Sequence, residues 1–159
     1  MNALTLLKND HREIKKLLKE LEPSTKVLDP SGEVSKRRDL FTEIRRLLTV
    51  HEVIEEEIFY PTLKQHPKAK EIVLEGYEEH DVVNTIMAEL ERLPYDDETW
   101  GAKANVMSEN VEHHIEEEED DMFEKAEQVF DDKELDALGT AMAERKAEAL
   151  KQESAGQLR

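Results

Sequence analysis

The segment HEVIEEEIFYP, residues 51–61, places one histidine and four glutamates directly before three core-type side chains. In an α-helix, residues four positions apart share a face, with Cβ atoms about 5–6 Å apart, so His51 and Glu55 face the same side. A carboxylate buried without a partner is strongly unfavourable, and a bound metal ion removes that problem. The segment therefore predicts an inward His51–Glu55 pair beside a cation, with Glu56 and Glu57 facing water.

The rest of the chain has the composition and periodicity of helices. Glycine is scarce, with 5 in 159 residues, β-branched runs are absent, and charged helix formers dominate. Apolar residues recur at spacings of three and four in four long segments. Four long helices with short links fold most simply as an up-down-up-down bundle. The predicted fold class is therefore all-α, a four-helix bundle with an additional C-terminal helix.

Capping residues and prolines set the expected boundaries of these helices. The signals are, in chain order, Asn2, Pro23, Ser35, Pro61, Pro94, the run DDET at 96–99, and Asp131 with Asp132. The longest loop is expected between Pro23 and Glu33. We assign residues 1–127 to the bundle and 128–152 to a helix packed on it or at a dimer contact. Residues 153–159 are assigned to a frayed polar tail.

Each of the four bundle helices carries one histidine on its apolar stripe, and these are His11, His51, His80 and His114. A single histidine on an apolar face is most often a satisfied core residue. Four on different helices of one bundle indicate a shared site instead. Glu118 follows His114 by four residues, as Glu55 follows His51, so both glutamates are expected to face inward. In the run EEEEDD (116–121), Glu118 is the one member assigned a function, and the rest is expected to be mainly a solvated face.

The two halves of the chain repeat one pattern. His51 and His114 are 63 positions apart, and each is followed by a glutamate at +4 and an aromatic residue at +9, Tyr60 and Phe123. Two helical hairpins, each with one lone histidine and one H-x-x-x-E motif, would bring four imidazoles and two carboxylates to a pseudo-twofold axis. That donor set suits two metal ions, and mixed imidazole and carboxylate ligands favour iron over manganese or zinc. The expected metal ligands are His11, His51, Glu55, His80, His114 and Glu118, around two Fe ions that an oxo or hydroxo group bridges.

Composition narrows the classes of partner. The net charge of -17 argues against nucleic acid and anionic membrane surfaces, both of which attract basic proteins. The absence of cysteine excludes disulfides, iron–sulfur clusters and thiolate zinc sites. The start, MNALTLLKND, has too short an apolar run for a signal peptide, and no stretch approaches the roughly 20 apolar residues of a membrane span. The expectation is a cytoplasmic protein of one domain with no nucleic-acid or membrane partner.

Over roughly residues 1–125 the chain resembles the hemerythrin-like (HHE) family. The family motif H…HxxxE…H…HxxxE is met by His11, His51–Glu55, His80 and His114–Glu118. The segments HEVIEEEIFYP and EHHIEEEEDDMF are also similar to consensus stretches of the family. The resemblance implies a four-helix bundle that holds a non-haem diiron centre. Family members bind dioxygen or nitric oxide, sense iron or oxygen, repair iron centres, or disproportionate peroxide.

One position departs from the family pattern. Asn84 stands where oxygen-carrying hemerythrins have a second histidine, four residues after the third-helix histidine. The departure opens a position on one iron and favours redox chemistry or sensing over reversible oxygen carriage. Iron-repair members usually carry a cysteine-bearing N-terminal segment, and the 159 residues contain no cysteine, so iron repair is the less expected of these functions.

We therefore expect a diiron protein that binds hydrogen peroxide, dioxygen or nitric oxide at open iron positions, with catalase-like peroxide disproportionation as the leading activity. The alternative is a non-catalytic sensor of oxygen, redox state or iron, or an iron-binding module. Enzyme and sensor both remain open at this point, and so does the oligomeric state.

His113 is an alternative to its neighbour His114 and would pair with Glu117. Met107 and Val111 share the face of His114, which favours His114 as the ligand.

Two further residues are weighed as members of the site. Glu52 precedes Glu55 by three residues and could be a seventh ligand, although Ile115 takes its place in the second half of the chain. Tyr77 lies one turn before His80, where it could donate to a ligand or serve only in core packing.

Overall fold

A computed structural model of the chain describes residues 1–26 and 32–158, so the expected loop between Pro23 and Glu33 lies partly outside the described residues. These two ranges are mostly helical and contain no strand. The elements are α1 (Ala3–Leu21), a 3-10 segment (Glu22–Lys26), α2 (Gly32–Ile54), a π-helical segment (Glu55–Phe59), α3 (Tyr60–Lys64), α4 (Pro67–Arg92), α5 (Trp100–Glu117), a second π-helical segment (Glu118–Met122), α6 (Phe123–Val129) and α7 (Asp132–Ser154). The predicted all-α class is confirmed. No helix within the described ranges is both long and apolar enough to cross a membrane.

The four longest helices before α7 form the bundle, with α1 packed on α2 and α4 packed on α5. One apolar cluster takes residues from the starts of α1 and α4 and from the turns that follow α2 and α5. A second cluster takes residues from the opposite ends of the same four helices. Neighbouring helices therefore run in opposite directions, as in the predicted up-down-up-down bundle. The four stripe histidines lie between the two clusters.

Periodicity at spacings of three and four places Leu40 and Leu47 on the stripe of His51, and this expectation is wrong in detail. Leu40 and Leu47 are half-buried, whereas Phe41 and Leu48 are buried. α2 contacts α1 on one side and α7 on another, so it buries more than one face and its amphipathic pattern is blurred. The helix also begins at Gly32, one turn before the expected start at Ser35.

Two π-helical segments extend α2 and α5. The N–H of Tyr60 donates to the carbonyl of Glu55, and the N–H of Phe123 donates to the carbonyl of Glu118. Such i→i+5 turns occur mostly as single-turn insertions in α-helices, frequently at functional sites. Each places two successive large side chains in the core, Phe59 with Tyr60 and Met122 with Phe123. The helix continues past Pro61 as the single turn α3, one of the two outcomes expected for that proline.

α7 packs across α1 and α2 on the outside of the bundle. Asp131 caps it, because its side chain accepts from the N–H of Glu134 at 2.8 Å while the Glu134 carboxylate accepts from the N–H of Asp131 at 3.3 Å. Gly139 permits a close approach to the start of α1, since a Cβ there would lie 2.1 Å from the carbonyl oxygen of Met1. Beyond the helix, Leu158 packs against a small apolar cluster between α2 and α7.

Candidate metal centre

Six side chains from the four bundle helices and the two π-helical segments converge between the apolar clusters. Their nitrogen and oxygen atoms form two groups, and within each group the atoms lie within 4.8 Å of one another. The groups are His11, His51, Glu55 and Glu118, and Glu55, His80, His114 and Glu118. All six side chains are buried. The structure thus brings together the six residues that the sequence pattern singled out, and the two groups share both glutamates.

Glu118 lies between the two groups. Its Oε1 is 3.0 Å from His11 Nε2, and its Oε2 is 3.0 Å from His114 Nε2. Burial raises the pKa of Glu118, but the charge of His114 and the approach of both imidazoles outweigh burial and hold this pKa well below its ordinary value. Burial lowers the pKa of His114, yet the Glu118 charge and the hydrogen bonds to Glu118 and Glu79 raise it to about 10. An ionised carboxylate therefore stands at the centre of the layer.

Glu55 is the counterpart of Glu118, and its charge is poorly compensated. Its Oε1 is 3.3 Å from His51 Nε2 and 3.1 Å from His80 Nε2, but among the described residues neither Glu55 oxygen has a donor with hydrogen-bond geometry. Burial, and then the charge of Glu118, raise the pKa of Glu55 well above its usual range. Glu118 Oε1, despite its distance to an imidazole, also lacks a donor at a suitable angle. Three buried carboxylate oxygens without donors are unfavourable in a bare protein and are suited to a cation.

A second ring of carboxylates orients the four imidazoles. The Nδ1 atoms donate outward, from His51 to Asp10 Oδ2 at 3.0 Å, from His114 to Glu79 Oε1 at 2.7 Å, from His11 to Glu119 Oε2 at 2.7 Å and from His80 to Glu56 Oε2 at 2.8 Å. Each bond crosses from one element to its neighbour. A carboxylate on Nδ1 fixes the orientation of each ring and leaves Nε2 facing the centre of the layer, where a cation could take the place of any proton on it, as in protein metal sites.

The expectation that Glu56 faces water is wrong, and so is the assignment of Glu119 to a solvated face. Both carboxylates are half-buried and accept from an imidazole. Each follows a shared glutamate directly, so the repeat in the sequence carries a signal for them. Asp10 and Glu79 carry a similar signal, because each directly precedes a lone histidine.

Tyr60 is a member of the site that the stripes did not single out. Its buried hydroxyl donates to Glu118 Oε2 and lies 3.4 Å from both His80 Nε2 and His114 Nε2. Burial, and then the charges of Glu118 and Glu55, raise the pKa of Tyr60 well above its ordinary value, so the phenol remains a donor. The repeat offered the only signal for it, as the aromatic residue at +9.

Tyr77 contacts the ring of Tyr60 edge-on, with centroids 5.1 Å apart, and no hydrogen bond between it and an imidazole appears among the described residues. Of the two roles left open for Tyr77, packing against the core is the one observed, and the hydroxyl that donates within the site is that of Tyr60.

His113 and Glu52, the two other candidates for the site, differ in their exposure to solvent. The side chain of His113 is 64% exposed and pairs with Glu117 on the surface, whereas His114 points into the layer. Of the two adjacent histidines, the one that faces the layer is therefore His114, as expected. Glu52 is buried and lines a small cavity beside His51 and His80, but it is in neither ligand group.

Residues 2–126 match the family model described as the hemerythrin HHE cation binding domain. The chain is 31% identical over 150 residues to uncharacterized protein Rv2633c of Mycobacterium tuberculosis, which covers 91% of this chain and 85% of that protein. The same values hold for uncharacterized protein Mb2666c of Mycobacterium bovis.

A solved structure has the same arrangement of helices. It is the crystal structure of a hemerythrin HHE cation binding domain-containing protein, the Rv2633c homolog from Mycobacterium kansasii. It superposes with a TM-score of 0.80 at 29% sequence identity, over 96% of this chain and 89% of that chain. With the family model matched across the bundle, the chain belongs to the hemerythrin HHE cation-binding domain family.

Proposed function

We propose that the six converging side chains bind two iron ions, one at each histidine pair, and that the loaded protein disproportionates hydrogen peroxide. The observation that carries the proposal is the pair of ligand groups that share both buried glutamates. Imidazole and carboxylate donors without thiolate suit iron. The buried oxygens of Glu55 and Glu118 without donors are what a pair of cations would satisfy. When bound, the iron pair supplies a reversible two-electron exchange, so that two hydrogen peroxide molecules give one dioxygen and two water molecules.

The residues of this chain hold and orient the ligand atoms in advance. The outer carboxylates keep the four Nδ1 atoms as donors, which leaves the Nε2 atoms available as ligands. Glu55 and Glu118 each reach a histidine of both groups, so each can bridge the two positions. Preorganisation of this kind reduces the reorganisation that binding requires.

Tyr60 makes the two positions chemically different. Its hydroxyl fixes Glu118 Oε2 and supplies an oxygen next to the His80 and His114 nitrogens. We infer that it is a further donor for the ion at that position. The other position has Phe123 at the equivalent place, stacked on His11 with centroids 5.9 Å apart, and a phenyl ring offers no donor atom.

A cavity of about 20 Å³ beside the layer supports a small oxidant as substrate. Its walls are Ile14, Leu48, His51, Glu52, His80, Val83, Val111, His114 and Ile115. A single water needs about 10–15 Å³ of such volume, so the cavity accommodates a molecule of the size of water or hydrogen peroxide. Glu52 is the ionisable carboxylate of the wall, which is otherwise formed by apolar and imidazole groups.

Iron stoichiometry is the first test of the proposal. Apo protein is loaded with Fe²⁺ without oxygen, unbound metal is removed, and iron and protein are determined. We expect about two iron ions per chain, one for each of the two fully buried groups; the third group, Glu79, His113 and Glu117, lies at the surface. Protein that takes up no iron, with unfolding unchanged by Fe²⁺, would overturn the proposal.

Oxygen release is the second test, with His80→Ala as the variant and His113→Ala as its matched control. His80 is the ligand of α4, and Asn84, one turn later, offers no imidazole to replace it. We expect the loaded protein and the His113→Ala variant to consume hydrogen peroxide with continuous oxygen release, and His80→Ala and the apo form to do neither. Oxygen release that stops after one turnover per iron pair would contradict catalysis and favour a sensor.

A further inference from the structure

α7 contributes one charged group to the surroundings of the metal layer. Lys146 Nζ lies 2.5 Å from Asp10 Oδ1, and the other oxygen of that carboxylate, Oδ2, accepts a hydrogen bond of 3.0 Å from His51 Nδ1. Asp10 is therefore held from two sides, by α7 and by the imidazole that it orients. Its side chain is 8% exposed.

The pseudo-symmetric carboxylate has no comparable cover. Glu79 accepts the corresponding hydrogen bond from His114 Nδ1 at 2.7 Å, but its side chain is 26% exposed and lines an open groove along α4. Within residues 1–26 and 32–158, no ion pair joins Glu79 to a lysine or an arginine. Asp10, which accepts from His51, is therefore held in place by Lys146. Glu79, which accepts from His114, is in contact with solvent.

We propose that Lys146 is a positioning residue that fixes Asp10 against His51 and thereby slows the loss of iron from the His11–His51 position. This inference rests on the proposed function, in which each histidine pair holds one iron ion. For His51 to leave a bound ion, its ring must turn away, and the turn breaks the bond to Asp10. Because Lys146 holds Asp10, its carboxylate cannot move with the His51 imidazole, and the hydrogen bond between them is lost as the ring turns. Re-forming that bond favours the ring orientation in which Nε2 faces the ion.

The equivalent motion at the other position is less restricted. Glu79 lies in the open groove, where water can replace the bond to His114 as the ring turns. The position of His80 and His114 is therefore expected to release its iron first. α7, which follows the four ligand-bearing helices in the chain, gives the two positions different rates of release.

Arg145 offers a matched control on the same helix. It forms a two-bond ion pair with Glu57, at 2.5 and 3.3 Å, and this pair lies on the surface. Loss of the Arg145 pair weakens the attachment of α7 to the bundle but leaves the bond between Lys146 and Asp10 in place. A general role of α7 in stability would respond to both residues, whereas the proposed role responds only to Lys146.

The test measures the release of iron from Fe²⁺-loaded protein into excess bipyridine without oxygen. For the wild type we expect two phases, each of one iron ion per chain. In Lys146→Gln the slow phase should become roughly 3–10-fold faster, somewhat less than the 10–100-fold effect typical of a direct partner of a ligand. The fast phase should not change. Lys146→Arg should restore the slow phase, because the guanidinium keeps the charge and can reach Asp10, and Arg145→Gln should leave both phases as in the wild type.

A second readout needs no metal. In the apo protein, the Nδ1 proton of His51 should exchange with solvent more slowly than that of His114, and Lys146→Gln should remove this difference. Release in a single phase, an unchanged slow phase in Lys146→Gln, or equal acceleration in Arg145→Gln would overturn the proposed role. A wild type that binds no iron but shows the expected proton exchange would overturn the proposed function while leaving the clamp on His51 supported.

Discussion

The half of the molecule built from α1 and α2 and the half built from α4 and α5 carry the same inward pattern. His11 corresponds to His80 and Asp10 to Glu79, both by a shift of 69 positions. A shift of 63 positions relates the second helix of each pair, and it matches His51 with His114, Glu55 with Glu118 and Glu56 with Glu119. Both halves also enter a π-helical segment at the shared glutamate.

The halves differ around this pattern. Tyr60 corresponds to Phe123, and Gly76, whose place next to Tyr60 leaves room for the hydroxyl, corresponds to Leu7. Glu52 corresponds to Ile115. α7 covers the α1–α2 half, and within the described residues no helix covers the α4–α5 half in the same way. The repeated residues thus build the two buried groups on a common plan, and the residues that break the repeat make the surroundings of the two groups unlike.

The largest effect is expected at a residue that the two halves share. Glu118→Ala should lose at least one of the two iron ions, because Glu118 contacts a histidine of each group. Far-ultraviolet circular dichroism should remain that of the wild type, since alanine is the better helix former by a few tenths of a kcal/mol. Glu117→Ala is the control, because Glu117 pairs with the exposed His113. Two irons retained in Glu118→Ala but lost in Glu117→Ala would show that the ligands lie one position earlier.

A second pair of changes compares Leu7 with Gly76. Leu7→Ala removes a fully buried side chain and should lower the free energy of unfolding of the apo protein by about 2–5 kcal/mol. Gly76→Ala places a Cβ 2.9 Å from the Tyr60 hydroxyl. Overpacking of about 1–3 kcal/mol then opposes a gain of about 1 kcal/mol in helix propensity, so a net loss of up to about 2 kcal/mol is expected. Urea unfolding measures both changes in the free energy of unfolding, and Leu74→Ala, at an exposed position, is the control. If Gly76→Ala were more stable than the wild type, the crowding expected between the Cβ and the Tyr60 hydroxyl would be contradicted.

Substitutions of the outer carboxylates Asp10 and Glu79 should have smaller effects on stability, and the two effects should differ in size. Asp10→Asn removes the negative charge that faces Lys146 and leaves one acceptor oxygen where Lys146 and His51 use two. Because the site is buried, the free energy of unfolding of the apo protein should fall by about 1–3 kcal/mol. Glu79→Gln should cost less than about 1 kcal/mol, because water reaches that side chain. Equal losses in the two variants would show that the cover by α7 has no energetic consequence at Asp10.

The smallest effects are expected at surface ion pairs, and here the halves should agree. Arg145→Ala breaks the pair with Glu57, and Lys103→Ala breaks the pair with Glu89 at 3.2 Å. Each should change the free energy of unfolding by less than about 1 kcal/mol, and added salt should shrink both differences. A loss at Arg145 as large as that of Asp10→Asn would mean that this pair, rather than Lys146, attaches α7.

The sequence was sufficient for the six converging side chains because the histidines lie on α-helical stripes, and each glutamate, at the first residue of its π-helical segment, is still at α-helical spacing from its histidine. Tyr60 was not predicted as a site residue for a geometric reason. At about 100° per residue, nine α-helical steps from His51 end on the opposite face. The π-helical segment changes this, because its i→i+5 bond brings Tyr60 one turn beyond Glu55, on the same side. A local sequence pattern does not show where a helix takes up the additional residue of a π-helical turn.

The repeat marks the outer carboxylates, but the sequence does not predict which side chains they contact, nor the contact that α7 makes with Asp10. Glu56 accepts from an imidazole on α4, and Asp10 from one on α2, so each contact depends on how helices pack. Lys146 is 136 positions from its partner Asp10. Helix periodicity assigns a residue to a face of its own helix, and it carries no information about which side chain of another helix that face will meet.

Gly76 has a consequence for how this site can change over evolutionary time. The closest atom to a Cβ at position 76 is the Tyr60 hydroxyl oxygen, at 2.9 Å. While tyrosine is at 60, a larger residue at 76 must displace the phenol from Glu118. With phenylalanine at 60 the hydroxyl contact is gone, but the ring Cζ still lies 3.0 Å from the added Cβ. The order of the two substitutions therefore affects how much stability the intermediate sequence loses. The glycine makes the tyrosine hard to lose stepwise and hard to regain once position 76 has been filled.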